Sequence, residues 1–264
     1  MEYFFDSIFR VYLTQKYKYF CEIGVAKGEN TDRLLQMHPL KHVIIDPCID
    51  CDLIGKYKNN DNVTVCKGIS LQVLPKISEP FDCIFIDGDH NWYTVYNELK
   101  IINEKKLLNP GGTIFLHDVG WPYGRRDMYY LPETIPEHFR HPYERKGIIR
   151  GKSELVDTGG KYPDLFNAKF EGGARNGVLT AVEDFMKEFG HEYIFFHHKV
   201  QSGLGFLIRR EGFLTELHFI KWLIICHLLR LIKLIKLDKC MHYFLHPREI
   251  SAMIKRKLNR VIKL

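Results

Sequence analysis

The chain lacks the marks of several common protein classes. Its seven cysteines are an odd number, scattered along 264 residues, and only Cys48 and Cys51 stand at metal-knuckle spacing. No second pair follows at zinc-finger spacing, so Cys48 to Cys51 reads as an ordinary loop ahead of a structural zinc site. Cys21, Cys66 and Cys83 fall in apolar, strand-like runs and read as buried thiols, which predicts a reducing, cytoplasmic setting. The opening residues Met1–Asp6 hold no basic segment followed by a long apolar run, so no secretory leader is predicted. The longest apolar stretch, Phe219 to Leu237, is interrupted by Lys221, Arg230, Lys233 and Lys236, too many charges for a comfortable membrane span. The charge excess is small, +6, and no recognition motif accompanies it, which argues against nucleic acid as a partner. Internal repeats and low-complexity runs are missing as well.

What the chain does contain is an alternation of short apolar runs and helical patterns. Strands are predicted at 19–23, 42–45, 63–66, 81–86, 113–116, 193–196 and 205–208. Helices are predicted from Asn30 to Met37, capped by Asn30 or Thr31, from Trp92 to Lys106, and from Asn176 to Phe189. Asn109-Pro110-Gly111-Gly112 reads as a turn feeding the fifth strand. Short buried strands separated by helices predict an α/β fold, a mainly parallel sheet covered on both faces. Residues 119–175 follow no period and are rich in tyrosine, proline and glycine. Such a segment inside a compact domain reads as a functional lid. The domain is expected to span 1–213, with 214–264 a basic amphipathic helical tail. That tail could pack on its own domain, form an oligomer or partner interface, or lie on an anionic membrane at its cytoplasmic face. The first two readings rank ahead.

The first strand ends in Glu22-Ile23-Gly24-Val25-Ala26-Lys27-Gly28. A dinucleotide loop wants G-x-G-x-x-G so that a pyrophosphate can rest on bare amides, but Ala26 replaces the second glycine and a carboxylate precedes the first. This weighs against a nicotinamide oxidoreductase and suits a cofactor without phosphate and with a cationic amine, such as S-adenosylmethionine (SAM). The first, second and fourth strands each end on a carboxylate, Glu22, Asp46 and Asp87, and parallel strands gather these ends at one rim. Glu22 could face the cofactor's ammonium, Asp46 could accept from the ribose hydroxyls, and Gly68-Ile69-Ser70 could hold the adenine. The competing readings are a ligand-free tight turn for Gly24 and Gly28, and a helix-capping role for Glu22. Together, Glu-x-Gly-x-x-x-Gly, the acid after the second strand, Phe-Asp-x-Ile-x-Ile-Asp and Leu-x-Pro-Gly-Gly resemble the class I SAM-dependent methyltransferases over most of 17–118 and again at 176–210. The resemblance implies a Rossmann-like sheet of seven strands, mostly parallel with the last antiparallel. It also implies SAM bound by Glu22, Gly24, Gly28, Asp46, Ser70 and Asp87.

Asp87-Gly88-Asp89-His90 and His117-Asp118 close neighbouring strands and bring acids and histidines to one place. That set is a candidate for a divalent cation, magnesium foremost, with a nearby imidazole as base near neutral pH. Asp89 reads as a solvated loop acid. The arrangement is similar to the metal-dependent O-methyltransferases of antibiotic sugars, of macrocin and mycinamicin type, and to cephalosporin hydroxylase-like proteins. The resemblance implies Asp87 and Asp118 as metal ligands, His90 as base with Asp87 beside it, and a sugar or glycoconjugate acceptor. His117 stands where that group usually has Glu, as a ligand, an outer partner or neither. In the lid, Trp121 and Tyr123 could stack on a sugar ring, while Arg125, Arg126 and Asn176 could fix hydroxyls or a phosphate. A rival expectation from another class is a non-catalytic SAM-binding scaffold whose tail holds a partner or membrane.

Overall fold

The computed structural model describes residues 17–198 and 201–210. The tail reading for 214–264 and the apolar stretch 219–237 lie outside the described residues. Lys18–Arg210 form one compact unit. Its strands, in chain order, are Tyr19–Ile23 (β1), Lys41–Asp46 (β2), Val63–Lys67 (β3), Phe81–Ile86 (β4), Leu108–His117 (β5), Met128–Tyr129 (β6), Tyr143–Arg145 (β7), Phe166–Ala168 (β8), Tyr193–His198 (β9) and Leu204–Arg209 (β10). The helices are Glu29–Leu35 (α1), Cys51–Tyr57 (α2), Ser70–Val73 (α3), Trp92–Glu104 (α4) and Val178–Phe189 (α5).

The main sheet has seven strands in the order β3-β2-β1-β4-β5-β10-β9. β1 to β5 pair in parallel, and β10 runs antiparallel to both of its neighbours. This is the Rossmann-like, mostly parallel sheet of seven strands, the last antiparallel, that the resemblance implied. Alternation along each strand decides which face a residue serves. Val43, Ile45, Ile84, Ile86, Ile114 and Leu116 pack against α4 and α5. On the other face Ile44 joins Val25, Leu53 and Tyr57, under α2. On that second face a row of rings crosses the sheet: Phe85 stacks on Phe115 at 5.0 Å, and Phe115 meets Phe206 edge-on at 5.5 Å. The strands' carboxyl ends of β1, β2, β4 and β5 share one edge, because parallel neighbours in register leave the sheet together.

Several expectations are corrected. β5 begins at Leu108 and carries the expected Asn109-Pro110-Gly111-Gly112 turn inside it, where the pairing with β4 shifts register between Phe81 and Cys83. A bulge absorbs the proline and glycines that otherwise signal a break. α1 starts after Gly28 at φ 78, with no side-chain cap, so neither Asn30 nor Thr31 caps it. Cys51 opens a helix, α2, whose true cap is Asp50, accepting from the Leu53 amide. Residues 119–175 are not aperiodic in space: β6, β8 and β7 form a small antiparallel sheet, tied to the main domain by a bridge between His90 and Met128.

Glu98, on the buried face of α4, was not singled out by pattern, yet it is fully buried. It accepts a hydrogen bond from the Ser70 hydroxyl, and its other oxygen meets no donor. Burial pushes its carboxyl up to about 8, with Ser70 opposing and Asp89 adding to the rise. The folded state therefore holds a proton that the unfolded chain releases near its ordinary value of 4.5. Stability falls as pH rises between those two values and is level above them. Glu98→Gln removes that slope: the variant should gain about 3 kcal/mol over wild type at pH 7 and far less at pH 5. Denaturant melts at several pH values measure it; a gain that does not change with pH would refute the assignment.

Candidate functional site

At the carboxyl edge, β4 delivers Asp87 and, through the following loop, His90, while β5 delivers His117 and Asp118. Asp118 takes a left-handed conformation, φ 57, just past the end of the strand. Asp tolerates this better than most residues, and strained backbone of this kind concentrates at functional sites. His117 Nδ1 lies 2.8 Å from Asp87 Oδ1 and 3.3 Å from Asp118 Oδ2. His90 Nε2 lies 3.1 Å from Asp118 Oδ2 and 3.5 Å from Asp87 Oδ1. One ligand atom from each of the four residues falls within 4.8 Å of all the others. Among the described residues this is the His/Cys/Asp/Glu group that could hold an ion, and Cys48 and Cys51 are not part of it.

The electrostatics follow from charge pairing in a largely dry place. Burial drives the Asp87 carboxyl up, but His117 and His90 outweigh it and hold it well below the usual range. Burial likewise raises Asp118, and His90 with His117 brings it below its ordinary value. In return, burial lowers the two imidazoles, and the carboxylates more than reverse that: His90 is raised, and His117 is carried up to about 9. The carboxylates thus favour the charged form of the imidazoles beside them, and the imidazoles that of the carboxylates. The same geometry also fits an ion. Ligands at ~2.1 Å from an octahedral centre stand about 3.0 Å apart when adjacent, close to the observed spacings. The second nitrogen of His117 lies 3.1 Å from Ser202 Oγ, an outer partner that fixes the ring's orientation. Nothing in the pattern around Ser202 signals that contact. The His90 ring stacks on Tyr123 at 5.6 Å, with the planes 4° apart.

The glycine loop abuts this cluster. A Cβ on Gly24, at φ 85, would lie 2.2 Å from the Asp87 carbonyl oxygen, and one on Gly28 would lie 2.6 Å from the Tyr57 hydroxyl. Both glycines are therefore demanded by protein contacts, whatever else binds there. Ala26, at the place of the missing glycine, takes a left-handed φ of 47. Asp46 holds the loop: one oxygen accepts from the Val25 and Ala26 amides at 2.8 and 3.2 Å, the other from the Cys48 amide at 2.7 Å. Glu22 does not reach the rim. It is 1% exposed, accepts from Thr31 Oγ1 at 2.7 Å and lies 3.4 Å from His42, beneath α1. Burial pushes its carboxyl up, against His42 and Thr31. This placement matches a helix-anchoring role and corrects the expected ammonium contact. Ser70 is buried, and its hydroxyl hydrogen is donated to Glu98. Asp89 is not a solvated acid: it accepts from Asn91 and Thr94, and burial raises its carboxyl.

The lid residues divide. Tyr123 is buried against His90 of the cluster, and Trp121 packs on the small core that Tyr123 forms with Met128 and Ile148; the Trp121 indole N–H and the Tyr123 hydroxyl are buried without partners. Arg125 is committed to Glu183 through two bonds of 2.6 Å. Arg126 and Asn176 are at most 1% exposed and serve the lid itself. Arg126 donates to the Ala168 and Ser153 carbonyls, and Asn176 accepts from the Asp127 amide at 2.6 Å. Burial therefore overturns Arg126 and Asn176 as acceptor contacts. Asp127, which no sequence pattern marks, is the hub: it accepts from the Trp92 and Gly177 amides at 2.7 and 2.6 Å and from the Tyr129 hydroxyl at 2.9 Å.

Residues 21–119 match the family model of a methyltransferase domain. A comparison with curated proteins gave no match. Among solved structures the chain is similar to a SAH-bound methyltransferase of Podospora anserina, at 17% identity and TM-score 0.48, covering 77% of this chain and 76% of that one. It is also similar to the O-methyltransferase TomG of Streptomyces achromogenes, solved with SAM, at 15% identity, TM-score 0.45 and coverages of 76% and 78%. A third is an O-methyltransferase of Bacillus cereus in complex with SAH, at 19% identity, TM-score 0.44 and coverages of 76% and 79%. The matched segment runs from β1 to just past Asp118 and so contains both the glycine loop and the acid–histidine cluster. Over residues 21–119 the chain is thus similar to a methyltransferase domain.

Proposed function

We propose that the domain is an O-methyltransferase acting on a hydroxyl of a sugar or glycoconjugate, with SAM as donor and a divalent cation at Asp87, His117 and Asp118. The observation that supports it best is adjacency: the glycine loop touches the Asp87 backbone, and Asp87 belongs to the four-residue cluster. A methyl donor seated at that loop and a hydroxyl seated at that cluster would be neighbours. SAM, when bound, supplies a methyl group on a sulfonium, and a cation supplies positive charge that acidifies a hydroxyl. The chain's own part is to orient and to move a proton. Tyr123 fixes the His90 ring, Asp118 and Asp87 stand on either side of His90 Nε2 at the cluster, and His90, neutral with its hydrogen on Nδ1, takes the acceptor's hydroxyl proton at Nε2. Trp121 supplies an apolar face for a sugar ring, whereas Tyr123 is buried between His90 and Tyr162 and does not.

The donor set refines the expectation about the ion. One of its three donors is imidazole, and a nitrogen donor suits Zn²⁺ or Mn²⁺ better than Mg²⁺. Calorimetry tests cofactor and ion separately. SAH should bind the purified chain, and Mn²⁺ should bind with release of protons, because His117 is held protonated up to about 9 and must lose its proton to ligate. Ion affinity should accordingly rise with pH through the neutral range. Failure of SAH to bind at millimolar concentration would end the donor assignment. Mn²⁺ binding that is independent of pH would remove His117 from the ligand set.

A further inference from the structure

A cleft opens one residue beyond the cluster, lined by Val119, Gly120, Trp121, Arg125, Arg150 and Glu171. Its charges do not cancel. Arg125 is neutralised by Glu183, and Glu171 lies 3.9 Å from buried Arg126. Two cations remain. The Arg150 guanidinium sits 4.7 Å from the centre of the Trp121 ring, and the Lys161 ammonium 5.5 Å from it. Both side chains are exposed, and among the described residues neither has a carboxylate within ion-pairing distance. Two like charges gathered on one aromatic ring repel each other and gain only the ring's modest attraction. An anion at this ring would relieve that repulsion, and Arg suits the planar oxygens of phosphate and carboxylate. The unpartnered Trp121 indole N–H adds a donor on the same residue.

We infer that the acceptor is an anionic sugar, bearing a phosphate or a carboxylate, whose charged group is held by Arg150 and Lys161 at Trp121. This rests on the O-methyltransferase reading of the neighbouring cluster. It moves anion recognition away from Arg125 and Arg126, which are internally committed, to two residues that are not.

The test is calorimetric titration of the full chain, saturated with SAH, with glucose 1-phosphate, glucuronate, methyl glucoside and inorganic phosphate, at low and high salt. At least one charged sugar should bind about tenfold or more tightly than methyl glucoside, and the preference should shrink with salt. The stronger of the two identifies phosphate or carboxylate as the recognised group. The R150A/K161A double variant, which changes only exposed side chains, should melt like wild type and lose the preference. Three outcomes overturn the inference: equal affinity for charged and neutral sugars, including no binding of either; unchanged preference in the double variant; or inorganic phosphate binding as tightly as the phosphorylated sugar. Titration of the wild-type chain with SAH reports on the donor assignment independently. A protein that binds SAH yet fails the sugar arms loses this inference alone.

Discussion

Replacing His90 by alanine should lower methyl transfer by roughly two to four powers of ten while leaving SAH affinity unchanged. The loss corresponds to about 3–5 kcal/mol of barrier. The reason is positional. His90 Nε2 is held between Asp118 and Asp87 at 3.1 and 3.5 Å, and Tyr123 fixes the ring plane. An alanine there leaves no group to accept the hydroxyl proton. A second measurement separates base from ligand. If His90 is the base, Mn²⁺ affinity of His90→Ala stays within a few-fold of wild type although turnover collapses. Parallel collapse of both would make His90 a fourth ligand, and turnover at the wild-type rate would remove it from the chemistry altogether.

The largest effect on stability is expected at Asp127. It is fully buried and accepts two main-chain amides and one phenol, so it joins the start of α4, the start of α5 and the lid sheet at one carboxylate. Burial pushes its carboxyl up to about 6, because desolvation outweighs the donors around it. Asp127→Ala leaves the Trp92 and Gly177 amides and the Tyr129 hydroxyl unpaired in a dry site. Each buried unpaired group costs about 1–3 kcal/mol, so the variant should lose about 3–5 kcal/mol, or on the order of 10 °C in Tm. Limited proteolysis should then cut within 119–175 before the main sheet. A variant that melts within a degree of wild type would show the lid to be held by its other contacts.

Much of the fold was legible along the chain. β1 and β4 fall where their apolar runs predict, because strands buried on both faces read as nearly continuous hydrophobic stretches, here broken only by Glu22 and Asp82. The lid was legible only as an interruption. Its strands are two or three residues long, too short for alternation to register, and they pair across gaps of more than twenty residues. β5 was shortened in the reading because Pro110 and Gly111-Gly112 imitate a turn; only pairing with β4 shows that a bulge carries the strand through them.

The candidate site divides along the same line. Sequence by itself determined which residue types end each strand. Parallel strands share a direction, so a carboxylate at the end of one must lie near those at the ends of its neighbours, and Asp87, His90, His117 and Asp118 could be grouped on that ground alone. Tertiary structure decided where those side chains turn. Glu22, one residue short of its strand's end, points under α1 to Thr31 and His42, whereas Asp46 closes its strand and turns to the loop amides. It also decided which cations are spoken for. Arg125 and Arg126 stand side by side in the sequence, but one is bound to Glu183 and the other is sealed in the lid, leaving Arg150 and Lys161 at the Trp121 ring. Charge and residue type are local properties of the chain; burial and pairing arise only when distant segments meet.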